Sequence, residues 1–287
     1  MNKTLVKRAC LFLLALCLLV TSLAGCAPAA PEETGEAPIP VSEGLEETLV
    51  RTYGRAKTDA ILGIQAGDVI RFGNYEKNNK EEDGAESVEW IVLDREDTTL
   101  LLISKFSLDC KPFNEVSEDT TWETCTLRAW LNGAFLETCF DEQDRQAIVP
   151  SPVAAEKNPR GKVSPGNDTT DQVYVLSYSE AERYFPTDDE RRSEPTAYAA
   201  AQGARTNDNW STKRGHATAY WWLRNPGGKA TTVVVVNERG ILNGNFFKGV
   251  DATTVGVRPV LRVDIAALPK ISFPRKNPLE PDLDAMD

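Results

Sequence analysis

Strand-like runs lie at both ends of the segment 67–264, and helical patterns lie between them. The helical spacing of apolar residues is clearest over 126–140, and an alanine-rich run follows at 196–202. The strand-like runs cover 69–72, 88–93, 100–103, 219–224, 231–237, 241–247 and 256–263. Because strands and helices do not alternate regularly, the order argues against a parallel sheet with crossover helices. It predicts one α+β domain over 67–264, in which strands from both ends form a single, mostly antiparallel sheet.

The first 25 residues have the features of an export signal. Three basic residues precede an apolar run over 9–20, which is shorter than the roughly 20 residues that a membrane-spanning helix needs. Leu23-Ala24-Gly25-Cys26 follows and resembles the lipobox of bacterial lipoproteins, in which the cysteine carries a diacylglyceryl group and becomes the first residue. The resemblance implies a signal peptide over 1–25 and a palmitate-type lipid anchor on Cys26, at the extracytoplasmic face of a bacterial cell membrane. A plain signal peptide with a chance cysteine is the alternative.

The segments that flank the predicted domain differ from it in composition. Residues 26–44 are rich in proline and glutamate and lack aromatic side chains, which predicts a lipidated, disordered tether. Apolar residues at helical spacing then predict a short helix and a linker over 45–66. Residues 265–287 contain several prolines and end in acidic residues, which predicts a disordered acidic tail.

Charge and histidine content exclude several classes of function. The formal net charge is −11, and the leader contributes only positive charge, so the rest of the chain is more acidic still. Such a chain is a poor binder of nucleic acid, because binding to phosphates needs clustered lysine and arginine. The single histidine, His216, excludes any catalytic or metal centre built on several imidazoles. We therefore expect no nucleic-acid partner.

Three cysteines follow the lipobox: Cys110, Cys125 and Cys139. Export brings them into an oxidising environment, which favours pairing, and closing a loop of about 15 residues would stabilise the fold by about 3 kcal/mol. We predict a Cys110–Cys125 disulfide, with Cys139 unpaired. The alternative is that all three are buried free thiols, which pack as small apolar groups.

A short run of oxygen-bearing side chains suggests a calcium site. Asn167, Asp168 and Asp171 lie close together in sequence, and calcium binds carboxylate and amide oxygens. Calcium takes roughly six to eight ligands, however, and this run supplies fewer. Turns in which these side chains bond to the backbone explain the same pattern, so both interpretations stay open.

The last strands carry the candidate ligand-binding face. Side chains alternate across a strand, so every second residue of 220–224 and of 241–247 shares a face. An aromatic ring beside amides and a guanidinium can stack on a sugar or anchor a protein partner. The alternative is that the tryptophans belong to the core and that the arginine is structural. The candidate face comprises Tyr220, Trp222, Arg224, Asn243, Asn245 and Phe247.

Several motifs resemble a bacterial family of unknown function, family 6273. Two of them are Trp221-Trp222-Leu223-Arg224 and Gly256-Val257-Arg258-Pro259. The others cover 67–73, 89–93, 108–114, 121–132 and 166–171. That family is similar to the formylglycine-generating enzymes and C-type lectins in fold. The resemblance therefore implies a compact, loop-rich α+β domain that is C-type-lectin-like or sulfatase-modifying-factor-like. It implies no reaction, because a shared fold does not set function.

Motifs of the enzymes and lectins in that group are missing from this sequence. Formylglycine-generating enzymes oxidise their substrate with a pair of cysteines late in the domain, and here no cysteine follows Cys139. The motifs Glu-Pro-Asn, Gln-Pro-Asp and Trp-Asn-Asp of calcium-dependent lectins are also absent. We therefore expect a non-catalytic module of the cell surface that binds a carbohydrate or a protein. An envelope hydrolase with a carboxylate pair that sequence cannot locate, or a structural spacer, is the alternative.

Overall fold

The structure is a computed structural model that describes residues 44–96, 98–206 and 217–268. The predicted signal peptide, Cys26, nearly all of the predicted tether, His216 and the predicted tail beyond Leu268 lie outside these residues. Within the described residues, short helices combine with mostly antiparallel strands, which confirms the α+β class. No helix among them has the length and apolar character that crossing a membrane requires.

The first three strands form an antiparallel meander, which includes the strand-like runs predicted at 69–72, 88–93 and 100–103. Ile91 pairs with Val69 on one side and with Ile103 on the other. The strands of the described residues are β1 (Val69–Tyr75), β2 (Glu86–Glu96), β3 (Thr99–Ser104), β4 (Asp109–Cys110), β5 (Ser151–Val153), β6 (Thr169–Asp171), β7 (Val173–Tyr174), β8 (Trp221–Pro226), β9 (Thr232–Val236), β10 (Leu242–Gly249), β11 (Gly256–Val257) and β12 (Val260–Asp264).

These strands form two five-stranded sheets and a separate pair, and not the single sheet that the sequence predicted. The first sheet has the order β1-β2-β3-β12-β7, the second has the order β10-β9-β8-β11-β4, and β5 pairs with β6. The prediction was wrong because β8, β9 and β10 pair with one another as a second meander. Of the C-terminal strands, only β12 joins the first sheet, where it lies beside β3. The pairing of β8 with β11 is parallel, and the other pairings between these strands are antiparallel.

The helices begin at residues whose side chains cap them. Asp141, Ser177 and Thr196 each accept a hydrogen bond from the backbone N–H three residues later, which satisfies a donor that the first helical turn leaves free. Glu180 completes a capping box with Ser177. The α-helices are α1 (Leu45–Leu62), α2 (Thr126–Trp130), α3 (Leu136–Cys139), α4 (Glu142–Ala147), α5 (Tyr178–Tyr184), α6 (Asp188–Arg191) and α7 (Ala197–Ala201).

Two of the predicted helical stretches contain an irregular turn. The backbone of α1 is non-helical at Gly54, yet the apolar stripe of this helix stays in the core. Between α2 and α3, Leu131–Phe135 forms a π-helical turn. Turns of 3-10 helix cover Glu81–Asp83 and Ile265–Ala267, and Leu268 beyond them is buried. The core therefore includes residues on both sides of the segment 67–264.

The chain passes from one sheet to the other within the segment 256–264. β11 lies in the second sheet and β12 in the first, and Arg258 lies between them with 1 % of its surface exposed. The Nε of Arg258 donates to the carbonyl oxygen of Ser104, in β3, at 2.8 Å. Its guanidinium lies 4.9 Å from the ring of Phe185, at the end of α5, and 5.3 Å from the ring of Trp221, in β8. One buried side chain therefore contacts both sheets and a helix.

Candidate functional site

The outermost strand of the second sheet bulges away from its neighbour. Leu242 pairs with Val236, and Phe247 pairs with Val234. Between these two pairs β10 advances by five residues while β9 advances by only two. The extra residues cannot pair in the ladder, and they bend the strand out of the sheet. Within this bulge the side-chain oxygen of Asn243 accepts a hydrogen bond from the Asn245 N–H at 3.1 Å. Consecutive side chains of one strand are thereby brought to the surface.

Two neighbouring phenylalanines are exposed on this bulge. Phe246 is 39 % exposed and Phe247 is 40 % exposed, and Val116 is the other large apolar side chain that stays exposed in the described part of the chain. The ring of Phe247 lies over the turn at Gly227 and Gly228. Part of this ring is therefore supported by backbone, and the rest faces solvent.

The bulge rests on a buried asparagine. Asn158 is 3 % exposed, and its Nδ2 donates to the carbonyl oxygen of Gly244 at 2.8 Å. A Cβ at Gly244 would collide with the Oδ1 of Asn158, so this close approach requires glycine. The same Oδ1 accepts from the Arg160 N–H at 3.0 Å, which fixes the orientation of the amide. The exposed rings therefore stand on a base of buried hydrogen bonds.

Lys248, which follows Phe247 in β10, contacts Tyr220. The Nζ of Lys248 is 4.3 Å from the centroid of the Tyr220 ring, which is a favourable cation–π distance. Burial, and after it the Glu238 carboxylate, raises the pKa of the Tyr220 hydroxyl, so this hydroxyl is a hydrogen-bond donor at neutral pH. We call the following residues the β10 surface, and none of them is acidic: Tyr220, Asn243, Asn245, Phe246, Phe247 and Lys248.

Trp222 and Arg224 do not reach a ligand surface, contrary to the prediction. Trp222 is fully buried, donates from Nε1 to the Lys111 carbonyl oxygen at 2.9 Å, and packs on Phe113. Arg224 is 5 % exposed and pairs with both carboxylate oxygens of Glu180. The cause is the position of β8 in the middle of its sheet with both faces covered, where alternation produces no exposed face. A core tryptophan and a structural arginine, the alternative interpretation, describe these residues.

The predicted calcium ligand Asp171 is occupied by protein donors. It is 2 % exposed, and its carboxylate accepts from Trp122 Nε1 at 2.9 Å, from Arg128 Nε at 2.7 Å and from Thr169 Oγ1 at 2.6 Å. Three donors, one of them the paired Arg128, take three of the about four lone-pair sites of this buried carboxylate, and the arginine already balances its charge. Asp171 is therefore a structural anchor for the start of α2.

The other two predicted calcium ligands face different partners. Asp168 is exposed and accepts from the Ala155 N–H at 2.7 Å, whereas the amide of Asn167 donates to the Glu123 carboxylate. The residues that the structure describes hold no cluster of histidine, cysteine and acidic side chains that could bind a metal ion. These side chains bond to distant segments or to other side chains and not to the backbone of a local turn, so neither the turn nor the calcium interpretation is supported.

The predicted Cys110–Cys125 disulfide is wrong, because Cys110, Cys125 and Cys139 are free and buried. Cys110 donates from Sγ to the Thr253 carbonyl oxygen at 3.3 Å and lies in a small cluster with alanines. Cys125 lies at the start of α2, where its Sγ caps the helix. The two sulfurs are fixed by different elements, so proximity in sequence does not bring them together.

Sequence comparison confirms the family that the motifs indicated. A family model for a domain of unknown function, DUF6273, matches residues 96–265. This chain belongs to the DUF6273 family. Comparison with curated proteins and with solved structures found no significant match. The match begins at the end of β2, so β1 and most of β2 lie outside the matched range although they complete the first sheet of this DUF6273 protein.

Sequence analysis missed two residues of the β10 surface: Lys248, which lies beyond the run 241–247, and Phe246. Strict alternation over 241–247 places it on the face opposite Phe247, but the bulge exposes both rings. The dipeptide Asn243-Gly244 is a turn signal, and it was the feature that could have indicated a break in the alternation. Of the residues that were predicted, Asn245 and Phe247 are exposed on this surface.

In the folded DUF6273 protein, Cys110 and Cys125 should resist alkylation. Burial raises the pKa of each thiol to about 12, and the thiolate is the reactive form. At about pH 8.5, iodoacetamide should leave both thiols unmodified in the native protein and modify both in urea without reductant, as read by peptide mass spectrometry. Modification in urea that also requires a reductant would show a disulfide and contradict this structure.

Proposed function

We propose that this protein is a lipid-anchored binding protein of the bacterial cell surface, which binds a protein partner through the β10 surface and does not convert it chemically. The observation that carries the proposal is that Phe246 and Phe247, at consecutive positions of a bulge held by Asn158, are both exposed. Clustered exposed apolar side chains mark interaction sites, and aromatic side chains contribute much of the binding energy in protein interfaces.

A glycan is the second ligand class that the residues suggest, because an exposed ring can stack on a sugar. A small-molecule site usually adds several convergent polar groups to such a ring. On the β10 surface the side-chain oxygen of Asn243 is already bound to the Asn245 N–H, which leaves Asn245 as the exposed amide. Two exposed rings at consecutive positions are the main apolar feature of this surface, and this favours a protein partner over a glycan.

The proposed location rests on the sequence before the domain. The basic start, the apolar run over 9–20 and the lipobox that ends at Cys26 support a lipid anchor. The proline and glutamate content of 26–44 supports a tether that holds the domain away from the membrane. In this arrangement the β10 surface meets partners in the envelope.

Within this proposal the domain is related to the C-type-lectin-like and sulfatase-modifying-factor-like folds. The return of β12 to a position beside β3, the two mostly antiparallel sheets and loops such as 154–168 support the relation. Superposition of an experimental structure on members of that group tests it, and a different strand order would overturn it.

The anchor predicts a change of location when Cys26 is replaced. We expect Cys26→Ala to release the full-length protein from the membrane fraction and to remove the mass of the lipid, because the sulfur is the attachment point. Cell fractionation and intact mass spectrometry measure both effects. Cys17→Ala, which changes a cysteine within the apolar run, should leave both unchanged. A Cys26→Ala protein that stays membrane-bound with unchanged mass would contradict the proposed anchor.

The binding proposal predicts that the two rings dominate affinity. The protein should bind a subset of an envelope peptide array, and Phe246→Ala combined with Phe247→Ala should weaken this binding at least tenfold, since each aromatic anchor contributes roughly 1–2 kcal/mol. Val116→Ala is the matched control, because Val116 is exposed and apolar but lies outside the bulge. Specific binding only to a glycan array would favour the glycan ligand, and turnover of envelope material without stable binding would favour a hydrolase.

A further inference from the structure

A cavity of about 370 Å³ lies over the first sheet and shares no residue with the β10 surface. Its floor is the sheet face that carries Leu101 of β3, Tyr174 of β7 and Arg262 of β12, and Arg262 pairs directly with Leu101. Helix α5 and the segment 149–152 form its walls. The cavity is therefore built on regular elements and not on a loop.

Arg262 supplies an unsatisfied cation to this cavity. Its backbone is fixed, because its carbonyl oxygen accepts from the Val149 N–H at 2.9 Å. Its half-buried guanidinium forms no hydrogen bond and no ion pair with the part of the chain that the structure describes. A guanidinium has five N–H donors and no acceptor, so an arginine held in this position favours a ligand that brings acceptor oxygens.

The carboxylate on the cavity wall is already neutralised. Glu180 pairs through both oxygens with Arg224, and it also accepts from the Ser177 N–H at 2.8 Å. The other acidic lining residue, Glu96, is exposed to solvent, which screens its charge. Neither carboxylate of the lining pairs with Arg262, which therefore stays available to a ligand.

Two tyrosine hydroxyls add further donors. Tyr174 and Tyr184 line the cavity, and neither hydroxyl forms a hydrogen bond with the described residues. Burial raises the pKa of Tyr174 to about 12 and raises that of Tyr184, so both hydroxyls carry their proton at neutral pH. Leu101, Pro150 and Pro152 give the cavity an apolar side. The lining thus combines donors that lack acceptors with a surface suited to a ring or a short carbon chain.

We propose that this cavity binds a small organic carboxylate, whose oxygens pair with the Arg262 guanidinium and accept from the Tyr174 and Tyr184 hydroxyls. An arginine and a carboxylate match in planar, bidentate geometry. The cavity volume lies within the usual range of small-molecule sites. Inorganic phosphate fits less well, because a dianion would meet one unpaired cation in a chain of net charge −11.

Calorimetric titration of the full-length protein with benzoate and with glucuronate tests this site near pH 7. At least one of the two should bind, and at least tenfold more tightly than its neutral counterpart, benzamide or glucose. The preferred acid shows whether the natural ligand carries its carboxylate on an aromatic ring or on a sugar. Equal binding of acid and neutral compound, or binding of inorganic phosphate without binding of either acid, would overturn the proposal.

Substitutions of the residues that line the cavity show whether the acid binds at this site or is only attracted by positive charge elsewhere on the protein. Arg262→Met keeps a long apolar side chain but removes the donors, and it should weaken binding of the acid at least tenfold. Tyr184→Phe removes one hydroxyl and should weaken binding about threefold. Arg55→Met is the control, because Arg55 is an exposed arginine on α1 that does not line the cavity. The proposal would be overturned if Arg262→Met bound the acid with unchanged affinity. If Arg262→Met does not fold, unchanged affinity in both Tyr184→Phe and Tyr174→Phe would overturn it.

Discussion

The two sheets of this domain are joined through one buried guanidinium. Arg258 lies on the short segment that leaves the second sheet and enters the first, and it bonds to Ser104 of β3 while it stacks between Phe185 and Trp221. Burial lowers the pKa of Arg258 to about 9, so the group remains charged at neutral pH although it is removed from water. The ring faces and the carbonyl oxygen offset part of this desolvation, since each cation–π contact contributes roughly 0.5–2 kcal/mol. A planar guanidinium suits contact with both rings.

Helix α5 connects this joint to the two proposed binding regions. The helix ends beside Phe185, whose ring contacts the Arg258 guanidinium. At the start of the helix, Glu180 completes the capping box. Glu180 also binds Arg224 of β8 in the second sheet and lines the cavity over the first sheet. The β10 surface lies at the outer edge of the second sheet, on the other side of β9. The two proposed sites therefore belong to one framework but use different sheets and different residues.

The local elements could be predicted from the sequence, and the pairing of distant elements could not. The first meander and the helix predicted over 196–202 depend on patterns within a few residues, and these were correct. The distribution of strands between two sheets depends on which distant strands meet. The same limit explains Trp222, whose burial follows from the central place of β8, and Cys110 and Cys125, whose spacing gives a loop length but no sulfur geometry. The resemblance to the DUF6273 family was correct, but it carried no information about the bulge in β10.

Native-state hydrogen exchange on the variant Arg258→Ala tests the joint between the sheets most directly. Truncation leaves a cavity between the two rings and removes the donor from the Ser104 carbonyl oxygen, which should cost about 3–5 kcal/mol. If Arg258 couples the sheets, the amide protection of 100–103 in the first sheet and of 233–236 in the second should fall by the same free energy. Protection that is lost in one sheet alone, or retained in both, would contradict a shared joint at Arg258.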